Sequence, residues 1–173
     1  MTMLEAALGI SALQVALLAG IAAIDLRRRI IHPGALCALT GVSIFDALAN
    51  QSPALPSTLV GALFAGGAFG FAYQGGRLFG RRLNLSSATV VFGLGDVWLG
   101  AACGLAVGFP GALAVVLLAM LLGGLSVGIH WAVSNWRSVE YRPFTALPYG
   151  QNIAAATGFA LLFPAQIAQA FAG

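Results

Sequence analysis

Asp96 is the side chain of this sequence best placed to do chemistry. It follows Gly93, Leu94 and Gly95 inside an apolar stretch, where an ionisable group is costly unless protein or water surrounds it. Steps of four from Asp96 reach Gly100, Gly104 and Gly108. On a helix these share one face, and small residues at that spacing admit a neighbouring helix. Asp96 is therefore expected to face the interior of a bundle. The glycines before it weaken the helix and expose backbone groups, so Gly93 and Gly95 are candidates to hold an extended peptide. Asp25 is the second candidate: it closes an apolar stretch just before Arg27, Arg28 and Arg29. It shares a face with Gln14, about three turns earlier. Two carboxylates brought together cannot both ionise cheaply, and one keeps a proton. Such a pair offers an acid and a base at once, enough to activate water against an amide and protonate the leaving nitrogen. It requires no metal and no cofactor.

Composition says what kind of frame must position them. Of 173 residues 60% are apolar and 23 are Gly, while 8% carry charge, against about 25% in soluble domains. Mean hydropathy is +0.93. So few charges cannot cover a soluble surface, which excludes a cytosolic enzyme, a nucleic-acid binder and a disordered chain. The expected fold class is all-α, a polytopic membrane protein with residues 1–173 forming one transmembrane domain in a lipid bilayer. A span needs about 20 apolar residues, and six fit. They are expected at 3–24, about 31–49, 55 to about 75, and about 88–109. The fifth runs from a turn at Pro110 and Gly111 to about 133, and the sixth from about Tyr149 onward, kinked at Pro164. All eight arginines follow spans one, three and five: Arg27, Arg28 and Arg29; Arg77, Arg81 and Arg82; Arg137 and Arg142. The positive-inside rule then makes those loops cytoplasmic and both termini extracytoplasmic. Asp25 lies at the cytoplasmic edge and Asp96 about two turns in from a helix start at Ala88. Their depths are compatible.

Taken singly, these residues have plainer readings. Asp25 beside three arginines reads as an interfacial ion pair, and Asp96 as a hydrogen-bonding group between helices. Asp46 lies towards the extracytoplasmic side and reads as interfacial. His32, next to Pro33, reads as a helix cap or a solvated group; His130 is an intramembrane polar group. His32, His130, Cys37 and Cys103 are scattered, so no metal site and no disulfide framework is expected. Gly66 and Gly70, and Gly124 and Gly128, read as packing contacts, and Glu5 and Glu140 as surface charges. The residues also fit a small six-span transport subunit whose cavity is lined by Asp96 and Gln14. A non-catalytic assembly protein that uses its glycine stripes only to pack is a third reading.

Three strings carry a family resemblance. Gly93-Leu94-Gly95-Asp96 resembles the GxGD signature of intramembrane aspartyl proteases. Asp25-Leu26-Arg27-Arg28-Arg29-Ile30 resembles the first-aspartate motif of type IV prepilin peptidases. Leu147-Pro148-Tyr149-Gly150 is similar to the proline-aromatic-glycine start of that family's last helix. In order and spacing the chain resembles a short, Tad/Flp-pilus-type member made of the peptidase region only. It departs from the pattern at Ile31-His32-Pro33, where the family has Ile-Pro-Asn, and at Trp98, where lysine is common. The resemblance implies an aspartic endopeptidase with Asp25 and Asp96 catalytic and Gly93 and Gly95 supporting, without metal or cofactor. Its substrate would be a prepilin, cut after a glycine at the cytoplasmic face of the bacterial inner membrane. No counterpart of the cysteine-paired segment of long-form members is present, so methylation by this chain is not expected. The arginines are expected to meet anionic lipid headgroups.

Overall fold

The computed structural model describes residues 3–51, 53–82, 93–136 and 149–171. Among them there are seven helices and no strand: α1 (Met3–Arg28), α2 (Pro33–Ala49), α3 (Leu55–Arg82), α4 (Leu94–Val107), α5 (Gly111–Trp136), α6 (Gly150–Leu162) and α7 (Pro164–Ala170). The all-helical expectation holds. α1, α3 and α5 contain 26, 28 and 26 residues, which at 1.5 Å per residue exceeds a hydrocarbon core of about 30 Å. These three are long and apolar enough to cross a membrane, as are α6 and α7 taken together, whereas α2 and α4 are shorter. Large apolar side chains such as Leu63, Phe71 and Leu121 stand exposed on the outside, as a lipid-facing surface requires.

Each helix ends for a local reason. Arg29 adopts a left-handed φ of 54° and its N–H donates to Asp25 O at 2.8 Å, closing α1 as a C-terminal cap does. Asp25 therefore lies inside α1, which runs beyond the expected end at residue 24. His32 caps α2: its Nδ1 accepts the Gly34 N–H at 3.2 Å, and Pro33 takes the first helical position, where its missing N–H costs nothing. The capping reading of His32 holds. α3 continues to Arg82 rather than stopping near 75, because Arg77, Arg81 and Arg82 are good helix formers once they clear the apolar layer. Arg77 lies over the Tyr73 ring, 5.6 Å from its centroid. Pro164 does more than kink the last span. Helix α6 stops at Leu162, and α7 leaves at 93°, with Ile167 buried.

Helix α4 is central, packed against α2, α3, α5 and α6, and Leu99, Ala102 and Cys103 are buried within it. The glycine stripe is where α3 and α4 meet. Gly104 and Gly61 touch backbone to backbone, and Gly100 lies beneath the Phe69 ring. At the far end the 108–110 connection is clasped to α3. The Phe109 N–H donates to Ser57 O at 3.0 Å, and Ser57 Oγ donates to Phe109 O at 2.8 Å. Gly108 has φ +64°, and a Cβ there would stand 2.7 Å from Ser57 Oγ and 2.8 Å from Pro53; only glycine fits. In the other direction the contacts pass from backbone to side chains. A Cβ on Gly66 would be 3.1 Å from Ala101, and one on Gly70 would be 3.7 Å from Val97. The packing reading of Gly66 and Gly70 holds. For Gly124 and Gly128 a Cβ meets nothing within 4 Å among the described residues. The packed glycine of α5 is Gly123, directly under the Tyr149 ring. Four-residue spacing recurs on every helix face, and only the neighbour decides which register is buried.

Candidate active site

Helix α1 presents Gln14, Leu18, Ile21 and Asp25 to the interior, the 4-3-4 spacing of one helical face. Asp25 is buried, and its Oδ2 accepts the Gln151 N–H of the first turn of α6 at 3.1 Å. The start of α6 lies directly on this carboxylate. A Cβ on Gly150 would stand 2.8 Å from Asp25 Oδ2 and 3.3 Å from Ile31 Cδ1.

Asp96 is buried in the first turn of α4. The expected helix start at Ala88 lies outside the described residues, and α4 begins at Leu94, so Asp96 is not two turns in. Its Oδ2 accepts the Gly93 N–H at 2.9 Å, while its own N–H donates to Gly93 O at 3.1 Å. The carboxylate thus reaches back to satisfy one of the orphan donors of a helix N-terminus. Gly93 has φ −85° and ψ 150°, a conformation open to any residue. Its N–H is already engaged by Asp96, so it is not the bare donor the sequence suggests.

The first turn of α4, which carries Asp96, and the first turn of α6, which donates to Asp25, meet on Ile31. Its Cδ1 lies 3.3 Å from the Cβ positions of both Gly95 and Gly150, filling the space between the first turns of α4 and α6. Asp25 and Asp96 lie within electrostatic reach of each other, Arg29 is within reach of Asp25, and Tyr149 of Asp96. The Tyr149 O–H donates to Ala119 O at 3.0 Å, and its ring meets Phe69 edge-on with centroids 6.3 Å apart. Gly123 provides the room for that ring. Trp98 is 61% exposed, so the departure from lysine points away from the pair.

Other sequence candidates lie elsewhere. Arg27, Arg28, Arg29, Arg77, Arg81 and Arg82 are exposed. Gly70 of α3 lies opposite Val97 of α4, which puts both arginine groups at the Asp25–Asp96 end. Asp46 is buried in the bundle. It accepts the Asn50 Nδ2–H at 2.6 Å and shares a cavity with Gln14. Asp96 is not among the residues lining that cavity, so there Gln14 keeps company with Asp46. Glu5 is exposed. Arg137, Glu140, Arg142, Leu147 and Pro148 lie outside the described residues. Among the described residues no three His, Cys, Asp or Glu side chains converge. Sequence reading did not single out Gln151 or Gly123, and named Ile31 only within the string that departs from the family pattern. The motif at Tyr149 and Gly150 was the available signal for the start of α6, but not for its contact with Asp25.

The profile of the type IV leader peptidase family matches residues 12–128, a stretch that contains both aspartates and the Gly93–Gly95 segment. This chain belongs to the type IV leader peptidase family. Membership makes it a peptidase of multi-pass membrane type. The match ends within α5, so α6, which supplies Gly150 and Gln151, lies beyond it. No curated protein and no solved structure matches.

Proposed function

We propose that this chain is an aspartic endopeptidase that removes the leader from type IV prepilins of the Tad/Flp kind, with Asp25 and Asp96 as its catalytic pair. The observation that supports the reading is the burial of two carboxylates, on α1 and α4 and within electrostatic reach of each other, each with its Oδ2 anchored on a backbone N–H. Anchoring fixes each carboxylate and leaves Oδ1 for a water. With one proton shared between them, the ionised partner takes a proton from that water as it attacks the scissile carbonyl. The protonated partner then gives its proton to the leaving nitrogen. Neither step calls for a metal or cofactor.

In this reading the chain spans the bacterial inner membrane six times as one domain, with both termini extracytoplasmic and the pair near the cytoplasmic face. The exposed arginines at the same end support that orientation. A prepilin whose apolar helix lies in the bilayer would bring its leader junction to this depth. Gly93 serves by holding the Asp96 carboxylate on its N–H, and Gly95 by letting α4 close on Ile31, rather than by binding the substrate strand.

The test is co-expression with a candidate prepilin. Asp25→Asn and Asp96→Asn each preserve size and remove acid–base capacity, so either variant leaves the precursor at full length while wild type shortens it. Normal processing by either variant, in a membrane fraction that contains it at wild-type level, refutes the assignment.

A further inference from the structure

Ile30 and Ile31 link the cap of α1 to the cap of α2, and both ends of this link are pinned. At one end the Arg29 N–H donates to Asp25 O at 2.8 Å. At the other, His32 O accepts the Leu36 N–H at 3.2 Å while His32 Nδ1 accepts the Gly34 N–H at 3.2 Å. With its ends held, the link turns Ile30 outward, 61% exposed, and packs Ile31 against the core.

One atom of Ile31 then meets both halves of the site. Its Cδ1 lies 3.3 Å from the Cβ position of Gly95, the residue before Asp96, and 3.3 Å from that of Gly150. Gly150 precedes Gln151, whose N–H holds Asp25 Oδ2 at 3.1 Å. The same methyl thus stands between the turn that carries one carboxylate and the turn that anchors the other. We propose that Ile31 is a positioning residue, a spacer whose terminal methyl sets the separation of the Asp25 and Asp96 carboxylates. This role rests on the peptidase reading. Arg29 acts on Asp25, and Tyr149 lies within reach of Asp96; a change at Ile31 alters the charge of neither.

Moving one methyl across the contact tests the spacer, with precursor cleavage by purified enzyme in detergent as the assay. Gly95→Ala sets a methyl 3.3 Å from Ile31 Cδ1, and the two turns must part slightly. Ile31→Val deletes Cδ1, so in the double variant the new methyl finds Ile31 Cβ at 3.5 Å and Cγ1 at 3.7 Å, ordinary contacts. A misplacement of about 1 Å can cost about 10²-fold, so each single variant lowers kcat about fivefold, and the double variant returns to within about twofold of wild type. In a pH series the two limbs draw together in Gly95→Ala, where the carboxylates part, and spread in Ile31→Val, where the turns close. The double variant restores their spacing. Ile31→Val does not rescue Gly150→Ala, because Asp25 Oδ2, 2.8 Å from that methyl, still stands in the way. Ile44→Val, at an exposed position of α2, is the control and keeps the wild-type rate. Should Gly95→Ala not fold, Ile31→Met, of similar volume, replaces it: it keeps the wild-type kcat and limbs that Ile31→Val loses. Losses that multiply in the double variant, limbs that do not move, rescue of Gly150→Ala, or a wild-type rate in Ile31→Val overturns the spacer and leaves the peptidase reading standing. A wild-type enzyme that leaves the precursor uncut defeats both.

Discussion

Gly150→Ala tests the site geometry without touching a carboxylate. The added methyl would stand 2.8 Å from Asp25 Oδ2 and 3.3 Å from Ile31 Cδ1. The carboxylate must therefore retreat by about half an ångström to reach an ordinary contact. It would move off the Gln151 N–H, now 3.1 Å away, and out of register with Asp96. A misplacement of about 1 Å can cost about 10²-fold in rate, and half that distance predicts a loss of about tenfold. The fold should survive, because alanine also favours the helix that begins there by up to about 1 kcal/mol. Gly158→Ala, on the same helix and with nothing within 4 Å of its added methyl, is the matched control. Initial rates of precursor cleavage, normalised to folded enzyme in detergent, should fall only in Gly150→Ala. Wild-type rates in that variant, or equal losses in both, would refute the argument that α6 sets the position of Asp25.

Three further outcomes are expected. Cleavage should show a bell-shaped pH dependence, lost at low pH when both carboxyls are protonated and at high pH when both are ionised. The two limbs belong to the pair, and a pH series with wild type measures them. Gly104→Ala drives a methyl into the Gly61 backbone, which cannot swing aside as a side chain can. A destabilisation of about 3 kcal/mol, the upper end of overpacking costs, should appear as an earlier unfolding transition in detergent. On α5, Gly123→Ala strikes the Tyr149 ring and should lower both stability and cleavage. Gly124→Ala meets open space and should leave both unchanged, as parallel melts and rate measurements will show.

What the sequence reveals and what it hides follow from the range of the interactions involved. The burial of Asp96 on a glycine face was legible because residues 96, 100 and 104 share that face through the helical repeat alone. The cap at His32 and the break at Pro164 were legible for the same reason, being set by residues within one turn. The contact of Gly150 with Asp25 spans 125 positions, and no local pattern announces it. Gly123 could not be told from Gly124 until Tyr149 was placed. The burial of Asp46 was not legible because hydropathy reports depth and not direction; Gln14 and residues of the α6–α7 bend meet it across one cavity. The ends of α1 and α3 were underestimated because an apolar run marks the lipid layer, whereas the helix continues as long as its hydrogen bonds do.

The contact between α3 and α4 changes in kind along its length. At one end the clasp of Ser57 and Phe109 and the bare meeting of Gly61 and Gly104 join main chain to main chain; one turn from Asp96 the Phe69 ring takes over above Gly100. A main-chain joint yields only if a whole helix moves, whereas a ring can turn about its own torsions. The pair is thus pinned by backbone at the end remote from the carboxylates and held by an aromatic wedge beside them.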